Sequence, residues 1–217
     1  MKILICERTK IYREGLRETV KQIEGISFFG ETSDGMETVL LLHKISFDLV
    51  LLDYDMPGLD SMEILKKIHD INPETKVLVM SSNAQKSLAI SAIMQGAAGF
   101  VSKNTDFDEL LSAVKIVTQG GNYISKTVSQ PEVNPIEINN NWQKTHNLTP
   151  REFDIMVRMA NGKKLNDIST ELSLPYQTIQ RVKHRVLQKI NKKSNTEIKQ
   201  YCFENNLIYS EQMTGSN

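Results

Sequence analysis

Five short apolar runs separated by amphipathic stretches constrain the first 120 residues of this chain more than any other feature. The runs are Ile3–Cys6, Ile26–Phe29, Asp48–Leu52, Val77–Met80 and Phe100–Ser102. Between the first two, Tyr12, Leu16, Val20 and Ile23 follow at spacings of four, four and three, which marks one buried face of a helix. Near-continuous apolar strands alternating with helices predict a five-stranded, doubly wound parallel sheet of the α/β class, covered on both faces. The last helix of this half is expected to open on Thr105 and Asp108 as a capping pair and to continue through Leu110, Leu111, Val114 and Val117.

The stretch 121–147 reads differently. Gly120-Gly121, Pro131, Pro135 and Asn139-Asn140-Asn141 punctuate it without any sustained period, so it is assigned as a linker, with a turn of local structure near Trp142. From residue 148 to 217 the pattern is all-α. Thr149-Pro150-Arg151-Glu152 combines a cap, a proline at the first helical position and a capping-box glutamate. Gly162 ends that helix. A short helix over 166–172, a long one over 176–191 and a last one from Ser194-Asn195-Thr196-Glu197 through Leu207 are expected to follow.

Charge divides along the same boundary. Residues 1–120 carry 13 basic and 17 acidic side chains, a sum of −4, and residues 121–217 carry 13 and 9, a sum of +4. An acidic half joined to a basic one suggests two tasks, the second on nucleic acid. Apolar runs such as Val39–Leu42 and Leu49–Leu52 are far too short to cross a bilayer, and Glu7 and Arg8 interrupt the first run before it could serve as a signal segment. Cys6 and Cys202 have no metal-ligand spacing and are read as reduced, buried thiols of a cytoplasmic protein.

In a parallel sheet the working site lies at the carboxyl ends of the strands. Glu7 and Arg8 close the first run, Asp53 the third, Ser81 the fourth and Lys103 the fifth, so charged and hydroxyl groups are aimed at one pocket. With Arg13-Glu14-Gly15-Leu16, Met56-Pro57-Gly58 and Gly96-Ala97-Ala98-Gly99, these residues make 1–120 similar to the receiver domain of two-component response regulators. The resemblance implies that Asp53 accepts a phosphoryl group from a histidine kinase, that Ser81 and Lys103 bind that phosphate, and that Phe100 is an aromatic which swings inward on activation. Phosphoryl transfer asks mainly for positioning and charge neutralisation, which such a pocket supplies.

The chain departs from the family at one position of this pocket. The family has two acidic residues after the first strand, the second holding Mg²⁺, whereas here the pair is Glu7-Arg8. Glu7, Arg8, Asp53 and Lys103 sum to zero, so Mg²⁺ is expected to bind poorly, with Glu7 and Asp53 as its only carboxylates. Arg8 is placed to pair with Asp53 bidentately; the alternative is that it points into solvent. The receiver would then work as a pseudo-receiver, against the conventional reading of a phospho-activated switch at Asp53. A remoter alternative is an enzyme: Asp53-x-Asp55 is similar to the haloacid-dehalogenase phosphatases, although Pro57 stands where that motif prefers Thr and the half is short for the remaining motifs.

Residues 148–217 resemble the LuxR-type helix-turn-helix at the C-terminus of NarL/FixJ response regulators. The matching residues are Leu148-Thr-Pro-Arg-Glu152, Gly162, Ile168, Thr178-Ile179, Val186-Leu187, Ile190 and Glu197 through Leu207-Ile208. The 25 residues from Leu172 to Thr196 hold six basic side chains and no acidic one. Ile179, Val182, Val186 and Ile190 share the apolar face of the long helix. The opposite face presents Gln177, Thr178, Gln180, Arg181 and His184, of which Gln and Arg are suited to base edges, while Lys183, Arg185 and Lys189 suit phosphates. The last helix, with Ile198, Tyr201 and Cys202, would be the homodimer contact in this family, placing two half-sites on double-stranded DNA. No enzymatic role and no membrane partner is expected.

Overall fold

The structure is a computed structural model, which describes residues 1–83, 85–128, 147–172, 174–205 and 207–208. They form two compact units, each taken by itself below.

Residues 1–124 alternate β1 (Lys2–Cys6), α1 (Lys10–Val20), β2 (Phe28–Thr32), α2 (Gly35–Leu42), β3 (Leu49–Asp53), α3 (Ser61–Ile71), β4 (Lys76–Ser81), α4 (Lys86–Met94), β5 (Gly99–Ser102), α5 (Phe107–Thr118) and β6 (Tyr123–Ile124). The sheet runs in the order β2-β1-β3-β4-β5-β6 with every neighbouring pair parallel. Leu49–Asp53 is wholly buried, as a strand with neighbours on both edges and helices on both faces must be. On one face Ile3, Ile5, Leu49, Leu51, Leu78, Met80 and Val101 pack against Leu16 and Val20 of α1 and Leu110, Ala113, Val114 and Val117 of α5. Because β1 lies between β2 and β3, the chain leaves the sheet in opposite directions after β1 and β3, and a crevice opens at their carboxyl ends.

Three local expectations are corrected. The second strand is Phe28–Thr32, displaced from 26–29, because β1 pairs Lys2 with Phe28 and Cys6 with Thr32, and an edge strand tolerates the polar Glu31 and Thr32. The sheet has six strands where five were expected: Tyr123 and Ile124, read as linker, pair with Gly99 and Phe100. Two residues carry too little period to be seen as a strand. The cap of α5 is Asp106, whose carboxylate accepts from the Glu109 N–H, while Thr105 donates its hydroxyl to the Glu109 carboxylate. The turn expected near Trp142 lies outside the described residues.

The second unit is helical: α6 (Pro150–Ala160), α7 (Leu165–Glu171), α8 (Tyr176–Lys189) and α9 (Asn195–Glu204). Thr149 and Glu152 form the reciprocal capping box at α6, and Ser194 caps α9 by accepting from the Glu197 N–H. Gly162 ends α6 at φ +82, the left-handed conformation that glycine adopts without strain. The last helix stops at Glu204, earlier than the expected Leu207, which is nevertheless buried and donates its N–H to the Cys202 carbonyl. Ile179, Val182, Val186 and Ile190 are buried along α8, as their spacing requires. Among the described residues no helix is long and apolar enough to cross a membrane.

Candidate functional site

The crevice of the first unit gathers the residues that end β1, β3, β4 and β5. Asp53 is the last residue of β3, and its carboxylate accepts from the Asp55 N–H at 3.0 Å. Glu7 follows β1, donates its N–H to the Thr32 carbonyl and accepts the Thr9 N–H on its carboxylate. Lys103 follows β5, with its N–H bonded to the Ser81 carbonyl at 2.8 Å. These backbone bonds hold three charged side chains to one geometry: the Lys103 ammonium stands 2.7 Å from an oxygen of Glu7 and 2.7 Å from an oxygen of Asp53. Both carboxylates are fully buried, so the ammonium between them is the charge that makes their burial tolerable.

Lys103 also lies over the Tyr12 ring, 5.1 Å from its centroid. Burial, with the carboxylates of Glu7 and Asp53 nearby, pushes the Tyr12 hydroxyl up to about 12. Tyr12 entered the sequence reading only as a helix-face residue; its position one turn beyond Arg8 was the available signal.

Arg8 differs from both expectations. It neither forms a bidentate pair with Asp53 nor turns away from the pocket. Its Nε is 3.8 Å from Asp53 and its Nη2 is 3.9 Å from Asp55, so the half-exposed guanidinium spans the two acids. Asp55, which the sequence reading did not assign to the pocket, is reachable because the peptide after Asp53 folds back onto the Asp53 carboxylate. Ser81 is buried, but its hydroxyl is engaged with the backbone of Asn83 in the following loop. Phe100 is fully buried on β5, opposite Val79.

A hard divalent ion needs carboxylate oxygens free to bind it. Here Glu7 and Asp53 share one ammonium, and a guanidinium occupies the approach to the remaining Asp53 oxygen. Among the described residues no group of three His, Cys, Asp or Glu is assembled to hold a metal.

In the second unit, Ser169 donates its hydroxyl to the Leu174 carbonyl, and Leu174 donates its N–H to the Ser169 carbonyl. Gln177, Gln180, Arg181, His184 and Arg185 are exposed along α8, and Thr178 and Lys183 are half-buried. Lys189 is committed elsewhere: its ammonium bonds the Glu152 carboxylate at 2.7 Å, and the Arg185 guanidinium lies 3.4 Å from the same group. Burial raises the Glu152 carboxyl, but the Lys189 ammonium and the Thr149 N–H outweigh it, leaving the group below the ordinary glutamate value. Lys189 therefore fastens α8 to α6.

The last helix also corrects the expectation. Ile198 and Cys202 are fully buried inside the unit, and burial pushes the Cys202 thiol up to about 12. Tyr201 is half-buried. The exposed apolar side chain of α9 is Phe203, 52% accessible, which sequence reasoning missed because neighbouring apolar residues on a short helix do not declare which of them faces inward.

Residues 3–115 match the family model for the response regulator receiver domain, and residues 146–202 match that for bacterial regulatory proteins of the luxR family. The chain is a LuxR-type response regulator. This DNA-binding regulator of transcription is 28% identical over 213 residues to the response regulator UvrY of Escherichia coli K12, covering 98% of each chain. Its identity to the response regulator GacA of Pseudomonas aeruginosa is 26% over 199 residues, covering 91% of this chain and 93% of that one. Among solved structures it is similar to the RcsB response regulator of Salmonella typhimurium, with TM-score 0.65, 21% identity and coverage of 95% and 98%. The regulator's family sets aside the phosphatase reading of Asp53-x-Asp55.

Proposed function

We propose that this regulator is a cytoplasmic homodimer that binds double-stranded DNA through α8, and that its receiver takes up Mg²⁺ and phosphoryl groups poorly. The observation that carries the receiver half of this reading is the placement of Arg8 between Asp53 and Asp55. Lys103 pairs with both buried acids and Arg8 adds a second positive charge near Asp53, so Glu7, Asp53, Lys103 and Arg8 sum to zero and draw a divalent cation weakly. Arginine stays charged at any ordinary pH, so no pH change removes that charge from the pocket. DNA binding is then independent of phosphorylation, and a histidine kinase is not its obligatory partner.

On the DNA side, the exposed Gln177, Gln180 and Arg181 suit base edges, and Lys183 suits a phosphate. Phe203, rather than Ile198 and Cys202, offers the apolar group for a contact between two α9 helices. RcsB, a relative in fold, has been solved as dimers bound to DNA.

Three measurements test the proposal. Mg²⁺ titration and Phos-tag migration after acetyl phosphate should show weak binding and little modification of the wild type, with Arg8→Asp gaining both. Tight Mg²⁺ binding and ready phosphorylation of the wild type would instead establish a conventional phospho-switch at Asp53. In a filter-binding salt series, Arg181→Ala should cost about 1–3 kcal/mol at the specific site and relax one base preference. Lys183→Ala should weaken all sequences alike and flatten the salt slope by about one unit. Identical behaviour of the two variants would refute the division of labour.

A further inference from the structure

The chain leaves the receiver along Tyr123–Val128 and is bonded there to the elements that carry the pocket. Tyr123 and Ile124 pair with Gly99 and Phe100 as β6. Ser125 donates its N–H to the Phe100 carbonyl at 2.9 Å, and its buried hydroxyl accepts the Ser102 N–H at 3.1 Å. Ser102 precedes Lys103, so this exit segment is fastened at the root of the loop whose lysine holds Glu7 and Asp53.

One side chain of α5 joins the loop and the exit segment. Glu109 accepts the Tyr123 hydroxyl at 2.9 Å and the Lys126 N–H at 3.3 Å on one carboxylate oxygen, and the Thr105 hydroxyl on the other. Thr105 belongs to the Lys103 loop, and its N–H bonds the Ser102 carbonyl at 3.2 Å. Burial raises the Glu109 carboxyl, but the hydroxyls of Thr105, Tyr123 and Ser125 and the Lys126 N–H outweigh it, leaving the group below the ordinary glutamate value. Burial, together with that carboxylate, raises the Tyr123 hydroxyl in turn.

The stability of α5 does not ask for this arrangement. The helix is already capped by Asp106, whose carboxylate accepts the Glu109 N–H at 2.8 Å. An acidic side chain in the first turn favours the helix dipole equally well when it points into solvent. The Glu109 carboxylate instead directs its lone pairs at donors 14 and 17 residues further along the chain.

We propose that Glu109 is a positioning residue that couples the Lys103 loop to the segment leading out of the receiver. A shift of the loop moves the Thr105 hydroxyl, the carboxylate follows, and the bonds to Tyr123 and Lys126 shift with it. The coupling runs both ways, since two sites that bias one element bias each other equally. The residues beyond Val128 lead to the DNA-binding unit, so a change at the pocket reaches the chain that carries that unit. The coupling does not rest on the reading of Arg8 and holds whether or not Asp53 takes up phosphate.

Amide hydrogen exchange of the full chain, followed by NMR with the Lys126 N–H as reporter, tests it. Thr105→Val, which removes the loop's donor to Glu109, should speed exchange at Lys126 about threefold or more. Glu109→Ala should speed it about tenfold or more and abolish the response to Thr105→Val. Glu109→Gln keeps a carbonyl for Tyr123 and Lys126 and an amide for the Thr105 hydroxyl, so it should restore both the wild-type rate and the response. Amides of β3 should exchange as in wild type throughout. If Glu109→Ala speeds those as well, the cycle of Thr105→Val and Tyr123→Phe, alone and together, takes its place. Effects of the two that fail to add support the coupling, and effects that add overturn it. Exchange at Lys126 unmoved by Thr105→Val, or a response that survives in Glu109→Ala, would also overturn the proposal.

Discussion

Replacing Lys103 with methionine removes the ammonium from the receiver pocket while keeping an unbranched side chain beside Tyr12. In the native pocket that ammonium is 2.7 Å from an oxygen of each of two fully buried carboxylates. Without it, Glu7 and Asp53 face each other in the interior. Removing one partner of a buried ion pair costs about 3–5 kcal/mol, because a buried charge is left uncompensated. Arg8 offsets little of this: its side chain is 55% exposed and 3.8 Å from Asp53, and exposed pairs contribute only about 0–1 kcal/mol. The expected loss is therefore about 3–4 kcal/mol, a large share of a domain's usual stability of roughly 5–15 kcal/mol. Urea unfolding of the full chain, followed by circular dichroism, should show the receiver's midpoint falling by about 2–3 M at a slope of about 1–2 kcal/mol per molar. Hydrogen exchange at the β3 and β5 amides assigns the loss to the receiver. Adding Asp53→Asn removes one of the stranded charges and should recover at least about 1.5 kcal/mol. A loss below about 1 kcal/mol, or no recovery in the double variant, would refute the view that Lys103 holds the pocket together.

The Glu152–Lys189 pair predicts an acid-side dependence in the helical unit. Since the folded carboxyl lies below its ordinary value, its contribution is present above the unfolded glutamate value of about 4.3 and is lost as pH falls through the folded one. Lys189→Ala should cost about 1–3 kcal/mol in neutral-pH melts, flatten that acid limb and, unlike Lys183→Ala, leave the salt slope of DNA binding unchanged. A salt slope reduced as much as by Lys183→Ala would return Lys189 to the phosphate contacts. At α9, Cys202→Asp should unfold the unit by burying a charge, whereas Phe203→Asp should keep the native melting curve and lose cooperativity on paired half-sites in footprints. Normal folding of the Cys202 variant, or unaltered cooperativity of the Phe203 variant, would show the α9 assignment to be wrong.

What the amino-acid sequence determined by itself rests on signals carried by neighbours a few residues apart. Apolar runs alternating with periodic segments decided the parallel sheet, and in such a sheet Asp53, at the end of the third run, had to lie at the carboxyl edge. The capping box Thr149/Glu152 and the N-cap Ser194 set the starts of α6 and α9, because a cap bonds its own first turn. The buried stripe of α8 followed from its spacing alone. Tertiary structure decided what depends on distant partners. Tyr123–Ile124 is a strand only because the edge of β5 lies beside it. Lys189 is an internal ion-pair partner because packing of α8 on α6 brings it to Glu152, 37 residues earlier. Arg8 spans Asp53 and Asp55 because β1 and β3 are neighbours and the loop after Asp53 turns back. Cys202 is inside and Phe203 outside because α9 rests on α6 by one side, and a sequence that offers apolar groups on both sides leaves that choice to the packing.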